Sequence, residues 1–482
     1  MKKILIYVLL IGVFASLSWY VIEKGNLIVR QPQVISNGQN ATLADNAKPV
    51  VIDSTANVID QFLNNIKYPL SILLLQVIII LFTSRIFGII FRKLGQQTVI
   101  GEIIAGVILG PSIFGWLFPD LFAIVFPHNS FISLQFLSQI GLAFFMFVIG
   151  MELDLSKIKS KTQDAIIISQ IRIIFPFFLG TCVSYYIFQE LAPKDVSFLS
   201  FALFMGISMS ITAFPVLARI IKERGLTKTP LGVLAITCAA VDDVTAWCLL
   251  AAAIAIVKAG SVTSSLFTIG LAIAYIVFML YVIKPWLQKI SEKRMKEGKI
   301  GKTVIGISFF LLLLSAYFTE IIGIHALFGS FIAGVVMPNN TRFKEILTEK
   351  VEDVSTILLL PIFFAFTGLR TQIGLLNNGH LWMFCLLIIS VAIVGKLAGS
   401  AFTAKIIGRT WKDSLSIGAL MNTRGLMELI VLNIGYDLGV FGPEIFSIMV
   451  IMALFTTLMT GPLLNLVNFS FKNSAKVSMN DG

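Results

Sequence analysis

Two adjacent carboxylates lie inside an apolar segment of this 482-residue chain. Asp242 and Asp243 fall near the middle of the stretch 231–257, which is otherwise hydrophobic. Two neighbouring carboxylates in such a segment cannot easily both be charged without partners. Because consecutive helix residues point about 100° apart, the two acids should face different groups. One acid can bind a cation from a water-filled cavity, and the other can pair with a buried base.

A candidate base is present in a second apolar stretch, 380–407. Lys396 lies near its centre, too deep for the side chain to reach an interface easily. We predict that Lys396 forms an ion pair with one of the two acids, which an arriving cation would break. The structural alternative is an ammonium group that is satisfied by carbonyls at a helix end.

Polar residues interrupt two further apolar stretches. The stretch 197–221 contains Ser-Met-Ser-Ile-Thr-Ala-Phe-Pro, which ends at Pro215, and proline removes a helix hydrogen bond. The stretch 412–437 contains Asn-Thr-Arg-Gly around Arg424. Interrupted helices in corresponding positions of two halves indicate a transporter site at the middle of the membrane. An ordinary proline kink and a polar packing patch are the alternatives.

Other charged residues in the apolar stretches have supporting roles in this interpretation. Arg424 and Glu428 are four residues apart, so a structural pair on one helix face is predicted. Glu102 lies near the inner end of the stretch 98–117, as a favourable helix N-terminal charge or as an acid of a cytoplasmic funnel. Arg172 has no evident partner in the sequence.

The elements that must position these residues are transmembrane helices. The chain is 57% hydrophobic and 13% charged, with a mean hydropathy of +0.90, whereas soluble proteins carry about 25% charged residues. An ordinary soluble enzyme, a disordered chain and a transmembrane barrel are therefore excluded. About 20 apolar residues span a bilayer. Stretches of suitable length occur at 4–22, 68–91, 98–117, 132–152, 164–187, 197–221, 231–257, 263–288, 303–319, 322–338, 354–369, 380–407, 412–437 and 443–468.

The charge distribution predicts orientation and domain organisation. Most of the 37 lysines and arginines fall in loops on one side, which is therefore cytoplasmic. Residues 1–22 are a signal peptide or an anchor helix, and the polar segment 23–67 is external. The transmembrane domain covers 68–469, and 470–482 form a short cytoplasmic tail. The net charge of +11 is thus a topology signal, and we expect a multi-pass protein of the cell (inner) membrane with no nucleic-acid partner and no cofactor.

Several motifs together resemble the monovalent cation:proton antiporter family, specifically its second branch, over residues 68–468. Residues 95–111 (GQQTVIGEIIAGVILGP) and 144–154 (FFMFVIGMELD) resemble two early stretches of that branch. The pair Asp242-Asp243 and the Gly-Lys pair that ends at Lys396 stand in the expected order. Residues 422–429 (NTRGLMEL) are similar to a stretch of related plant cation/proton exchangers.

The resemblance implies an all-α inverted-repeat fold of about thirteen core transmembrane helices, with a dimerisation domain and a moving core domain. Two broken helices, 197–221 and 412–437, would cross beside the helix that carries the acids. The resemblance implies that Asp243 is the main acid for cation and proton, and that Asp242 is the partner of Lys396. Hydroxyl ligands at the crossing would come from two residues, Ser210 and Thr212.

The expected function is secondary active antiport of a monovalent cation against protons, by alternating access at the two-Asp site. Na⁺ is the expected cation, with K⁺ or Li⁺ as further substrates, and the protein is expected to be a homodimer. Resemblance to the potassium-efflux members is weaker, because their acid is often preceded by Gln and a nucleotide-binding domain usually follows the last span. The alternatives are a K⁺/H⁺ antiporter and, less favoured, a cation channel. A membrane-embedded protease or acyltransferase lacks its expected acids or buried histidine, so no enzyme is expected.

Overall fold

The computed structural model describes residues 2–26, 65, 68–152, 163–212, 217, 221, 229–259, 262–296, 302–338 and 341–480. Within these ranges the regular elements are helical, in agreement with the expected all-α fold. Nine helices of the described part are long and apolar enough to cross a membrane, and shorter apolar helices cover Phe198–Ser210, Thr245–Lys258 and Ala326–Val335. The predicted external segment 23–67 lies almost entirely outside the described residues.

Most of the helices follow the apolar stretches, and the charged segment 341–353 between two of these stretches is helical as well. In the first half they are α1 (Lys2–Asn26), α2 (Pro69–Lys93), α3 (Thr98–Leu109), α4 (Phe131–Glu152), α5 (Gln163–Leu191), α6 (Phe198–Ser210), α7 (Pro230–Ala259) and α8 (Val262–Phe278). The second half contains α9 (Lys284–Lys296), α10 (Lys302–Ile322), α11 (Ala326–Val335), α12 (Thr341–Asp353), α13 (Leu360–Arg370), α14 (Gly379–Ile393), α15 (Gly399–Ile406), α16 (Trp411–Met421), α17 (Leu426–Asp437) and α18 (Pro443–Asn480). Helix α18 continues well into the segment that was predicted to be a tail.

The helices pack into two bundles. The scaffold bundle contains α2, α3, α4 and α10 to α13, and the core bundle contains α5, α6, α7 and α14 to α18. Among the described residues, the most extensive helix–helix packing lies within each bundle, and α8 connects the two. Helix α1 packs on the core bundle, where the ring of Phe14 contacts Phe175 and Phe178 of α5.

The packing pattern repeats between the two halves of the chain. Helix α3 packs against α2 and α13, while its counterpart α11 packs against α10 and α4. Helices α5, α6 and α7 have counterparts in α14–α15, α16–α17 and α18. Both middle members, α6 and α16–α17, are interrupted. The expected inverted repeat with two broken helices is therefore present.

Candidate functional site

The acid-bearing helix α7 meets a buried arginine of α5. An oxygen of Asp242, Oδ2, lies 2.6 Å from Nη2 of Arg172, and both side chains are at most 1% exposed. The family resemblance implies Lys396 as the partner of Asp242, whereas the base at this distance is Arg172. Helix α5 also packs very closely on α6: a Cβ at Gly180 would lie 2.9 Å from the Cα of Gly206. A larger residue at this crossing would push the arginine-bearing helix away.

The broken end of α6 contacts the predicted lysine. Helix α6 ends at Ser210, five residues before Pro215, whose ring is incompatible with a helical carbonyl four residues earlier. Nζ of Lys396 donates to the backbone carbonyl of Ser210, and it donates to Oγ1 of Thr212 at 2.7 Å. Thr212 Oγ1 also lies 3.5 Å from Nη2 of Arg172. The threonine therefore links the lysine to the Arg172–Asp242 pair.

A second positively charged side chain binds two further carbonyls at this helix end. Nη1 and Nη2 of Arg424 donate to the carbonyls of Ser208 and Met209, at 3.0 and 3.1 Å. The last carbonyls of a helix have no partner within the helix and carry partial negative charge, so buried cations stabilise them. Arg424 Nη1 also donates to Oε1 of Glu428 at 2.9 Å, which is the pair predicted from the spacing. Both broken helices are therefore joined through this arginine.

Local backbone features place the two cations. Gly425, directly after Arg424, has φ +129 and ψ −127, a conformation that is essentially open only to glycine. It separates α16 from α17 and leaves Arg424 in the break. Lys396 lies in a π-helical turn, Val394–Ala398, between α14 and α15. Such turns are rare and are frequent at functional sites.

The structure brings most of the predicted site residues together. Ser210, Thr212, Lys396 and Arg424 are fully or almost fully buried, and the hydroxyl of Ser210 donates to the carbonyl of Ile207 at 2.9 Å. The side chain of Asp243 lies outside the described residues, although its backbone belongs to α7.

Glu102 lies apart from this group, in the second turn of α3 in the scaffold bundle. The expected dipole role is therefore weak, because the effect of a helix dipole falls off after the first turn.

Sequence reasoning missed three contributors to the site. Arg172 stood out as a buried charge, but its partner is 70 positions away in the chain and no local spacing indicates it. Nε2 of Gln170 donates to Oγ1 of Thr245, 3.1 Å away, which adds a second polar contact between α5 and α7. Nε and Nη1 of Arg172 have no hydrogen-bond partner among the described residues. Donors of that kind are commonly satisfied by water or a ligand.

Comparison with known proteins identifies the family. The family model for the transmembrane sodium/hydrogen exchanger matches residues 78–467. This chain belongs to that family. Membership makes it a multi-pass membrane antiporter of cations and protons, from a family of transporters, and it confirms the recognition made from the sequence motifs.

Individual relatives agree with this family. The chain is 44% identical over 395 residues to the Na⁺/H⁺ antiporter NhaS4 of Synechocystis, which covers 82% of this chain and 96% of that protein. It is 34% identical over 417 residues to the K⁺/H⁺ antiporter 1 of Saccharomyces cerevisiae, which covers 85% of this chain but only 48% of the yeast protein.

A solved structure shares the fold. The sodium proton antiporter MjNhaP1 of Methanocaldococcus jannaschii, at pH 8, aligns with a TM-score of 0.55 and 14% identity. The alignment covers 84% of this chain and 98% of MjNhaP1. This likeness confirms the predicted antiporter fold.

Proposed function

We propose that this chain exports Na⁺ across the cell (inner) membrane in exchange for protons, by alternating access at Asp242 and Asp243. The observation that carries the proposal is the buried network beside the acid pair. Arg172, Thr212 and Lys396 connect helix α7 to the break in α6, at most 3.5 Å apart at each contact. A cation entering this break would meet a carboxylate, hydroxyls and carbonyls, which are the oxygen ligands that alkali cations require.

The ion pairs of the neighbouring charged residues point to Asp243 as the acid that binds the cation and the proton in turn. Arg172 is paired with Asp242, and Arg424 is paired with Glu428. Lys396 has a hydroxyl and a carbonyl as its hydrogen-bond acceptors. Asp243, the adjacent carboxylate in the sequence, is the acid that we assign to balance the charge of Lys396 or of the cargo. A bound Na⁺ and a bound proton each neutralise one carboxylate, so their competition couples the two fluxes.

K⁺/H⁺ exchange on the same scaffold is the second candidate. The similarity to a yeast protein named as a K⁺/H⁺ antiporter favours it, and the similarity to NhaS4 favours Na⁺. The resemblance to the antiporter family further suggests a homodimer, which native mass spectrometry of the purified protein would test.

Reconstituted vesicles test the proposed exchange directly. Na⁺, Li⁺ and K⁺ are added in turn to proteoliposomes with an imposed proton gradient, and proton movement is followed with a pH-sensitive dye. We expect a Na⁺-dependent response that Asp243→Asn abolishes. Asp120→Asn removes an exposed carboxylate far from the site and serves as the matched control. Full activity in Asp243→Asn would refute the proposed site, and a response to K⁺ alone would assign the alternative cargo.

A further inference from the structure

The outer ends of the two bundles are joined by polar contacts that range from buried to exposed. Arg370 ends α13 in the scaffold bundle, and its Nη1 lies 2.7 Å from Oδ1 of Asp437, which ends α17 in the core bundle. The same nitrogen donates to Oδ1 of Asn433 at 3.3 Å, and the amide of Asn433 donates back to Thr367 of α13 at 2.8 Å. These contacts bridge the two bundles directly.

Aromatic rings hold the guanidinium of Arg370 in this position. Its Cζ lies 4.2 Å from the ring centroid of Phe366 on its own helix and 5.2 Å from that of Tyr436 on α17. Cation–π contacts of this kind favour a fixed guanidinium over a mobile one. The side chain of Arg370 is 13% exposed and that of Asp437 is 22% exposed, so solvent screens their ion pair in part.

A cavity lies between the bundles beside this ion pair. It is lined by residues of α4, α13 and α17, among them Gln135, Gln139, Phe363, Arg370, Asn433 and Asp437, and by His325 and Leu327 at the start of α11. The cavity has a volume of about 20 Å³, enough for about one water molecule, and most of its accessible lining is apolar. The ion pair therefore lies at the edge of a small gap between the bundles, the outer passage.

A stacked aromatic pair also joins the two bundles, nearer to the site. Trp247, one helical turn beyond Asp243 towards the outer end of α7, stacks on Phe331 of α11 with ring centroids 6.0 Å apart. Both rings are buried, and they belong to different bundles. A further ion pair, Lys258–Glu320 at 3.3 Å, joins the outer ends of α7 and α10.

We propose that Arg370 acts as a latch: its contacts with Asp437 and Asn433 of the core bundle keep the outer passage closed. The proposal rests on the proposed function, since alternating access requires the outer ends of the bundles to separate. When they separate, Arg370 must leave Asp437, so the strength of this contact sets how often the passage opens. Arg370 is thus a gating residue and not a ligand of the transported cation.

Thiol labelling measures the opening without requiring transport. The four native cysteines (Cys182, Cys238, Cys248 and Cys385) are replaced, and Gln139→Cys places a reporter in the cavity. Right-side-out vesicles are treated with a membrane-impermeant thiol reagent, and the modification rate is recorded. We expect Arg370→Gln and Asp437→Asn each to raise the rate about tenfold, which corresponds to about 1.4 kcal/mol.

Two further variants make the result specific. The charge swap, Arg370→Asp with Asp437→Arg, should return the rate towards that of the parent and also shows that the fold tolerates changes here. Glu190→Gln breaks the exposed outer pair with His380, which lies within the core bundle, and should leave the rate unchanged. Unchanged rates in Arg370→Gln and Asp437→Asn, or an equal rise in Glu190→Gln, would overturn the latch. If the labelling rates change as expected but the parent protein shows no cation/proton exchange in vesicles, the proposed function is refuted and the latch is not.

Discussion

Removal of Arg172 should expose how much the site depends on its buried ion pair. The Nη2–Oδ2 distance is 2.6 Å and both side chains are at most 1% exposed. At an effective dielectric constant of about 20, two unit charges at that distance attract by about 6 kcal/mol. Desolvation offsets much of this attraction, and removal of one partner from such a pair costs about 3–5 kcal/mol because a buried charge is left uncompensated. We therefore expect Arg172→Gln to lower the free energy of unfolding by about 3–5 kcal/mol.

A double-mutant cycle in mixed detergent micelles separates this pair from general damage. Arg172→Gln, Asp242→Asn and the double variant are compared, and the double variant should be more stable than the sum of the single changes by about 3 kcal/mol. Glu190→Gln, which breaks a pair that is 51% exposed on both sides, should cost at most about 1 kcal/mol. A coupling below about 0.5 kcal/mol would show that the two residues act independently and would refute the assignment of Arg172 as the partner of Asp242.

Three further outcomes follow from the site geometry. Gly425→Ala should destabilise the protein by about 1–3 kcal/mol, because alanine cannot easily adopt a φ of +129. The control Gly306→Ala, on an exposed face of α10, should be neutral or slightly stabilising. Equal shifts of the unfolding temperature in the two variants would contradict this. Arg424→Gln should lower the free energy of unfolding by about 3–5 kcal/mol, measured by heat or denaturant. Adding Glu428→Gln should restore part of this stability, and no recovery would mean that the two residues are not coupled. Lys396→Met should bind Na⁺ about tenfold more tightly in calorimetry, because a positive charge leaves the site, and weaker binding would contradict the charge balance.

Features coded by local sequence were predictable. The apolar stretches indicated most of the helices, and the polar run that ends at Pro215 indicated the break in α6. The Arg424–Glu428 pair follows from a spacing of four residues, and it forms although Arg424 precedes the first residue of α17. Chemistry also limited the possible roles of Lys396, since an ammonium group at that depth must find acceptors.

Contacts between distant segments were not predictable in the same way. The partner of Asp242 depends on how α5 crosses α7, and α5 also packs on α6 through the close approach of Gly180 to Gly206. The π-helical turn at Lys396 rotates the lysine relative to a regular helix, so helical spacing gives the wrong direction for its side chain. The contacts of Arg370 follow only from the packing of α13 against the end of α17.

Proton release on cation binding tests the central claim most directly. The purified protein is held in a weakly buffered detergent solution with a pH indicator, and Na⁺ is added while an equal concentration of a large organic cation serves as the control. Competition at the two-Asp site predicts that Na⁺ releases protons from the wild type and from Asp120→Asn, but not from Asp243→Asn. Proton release by Asp243→Asn equal to that of the wild type would contradict the account.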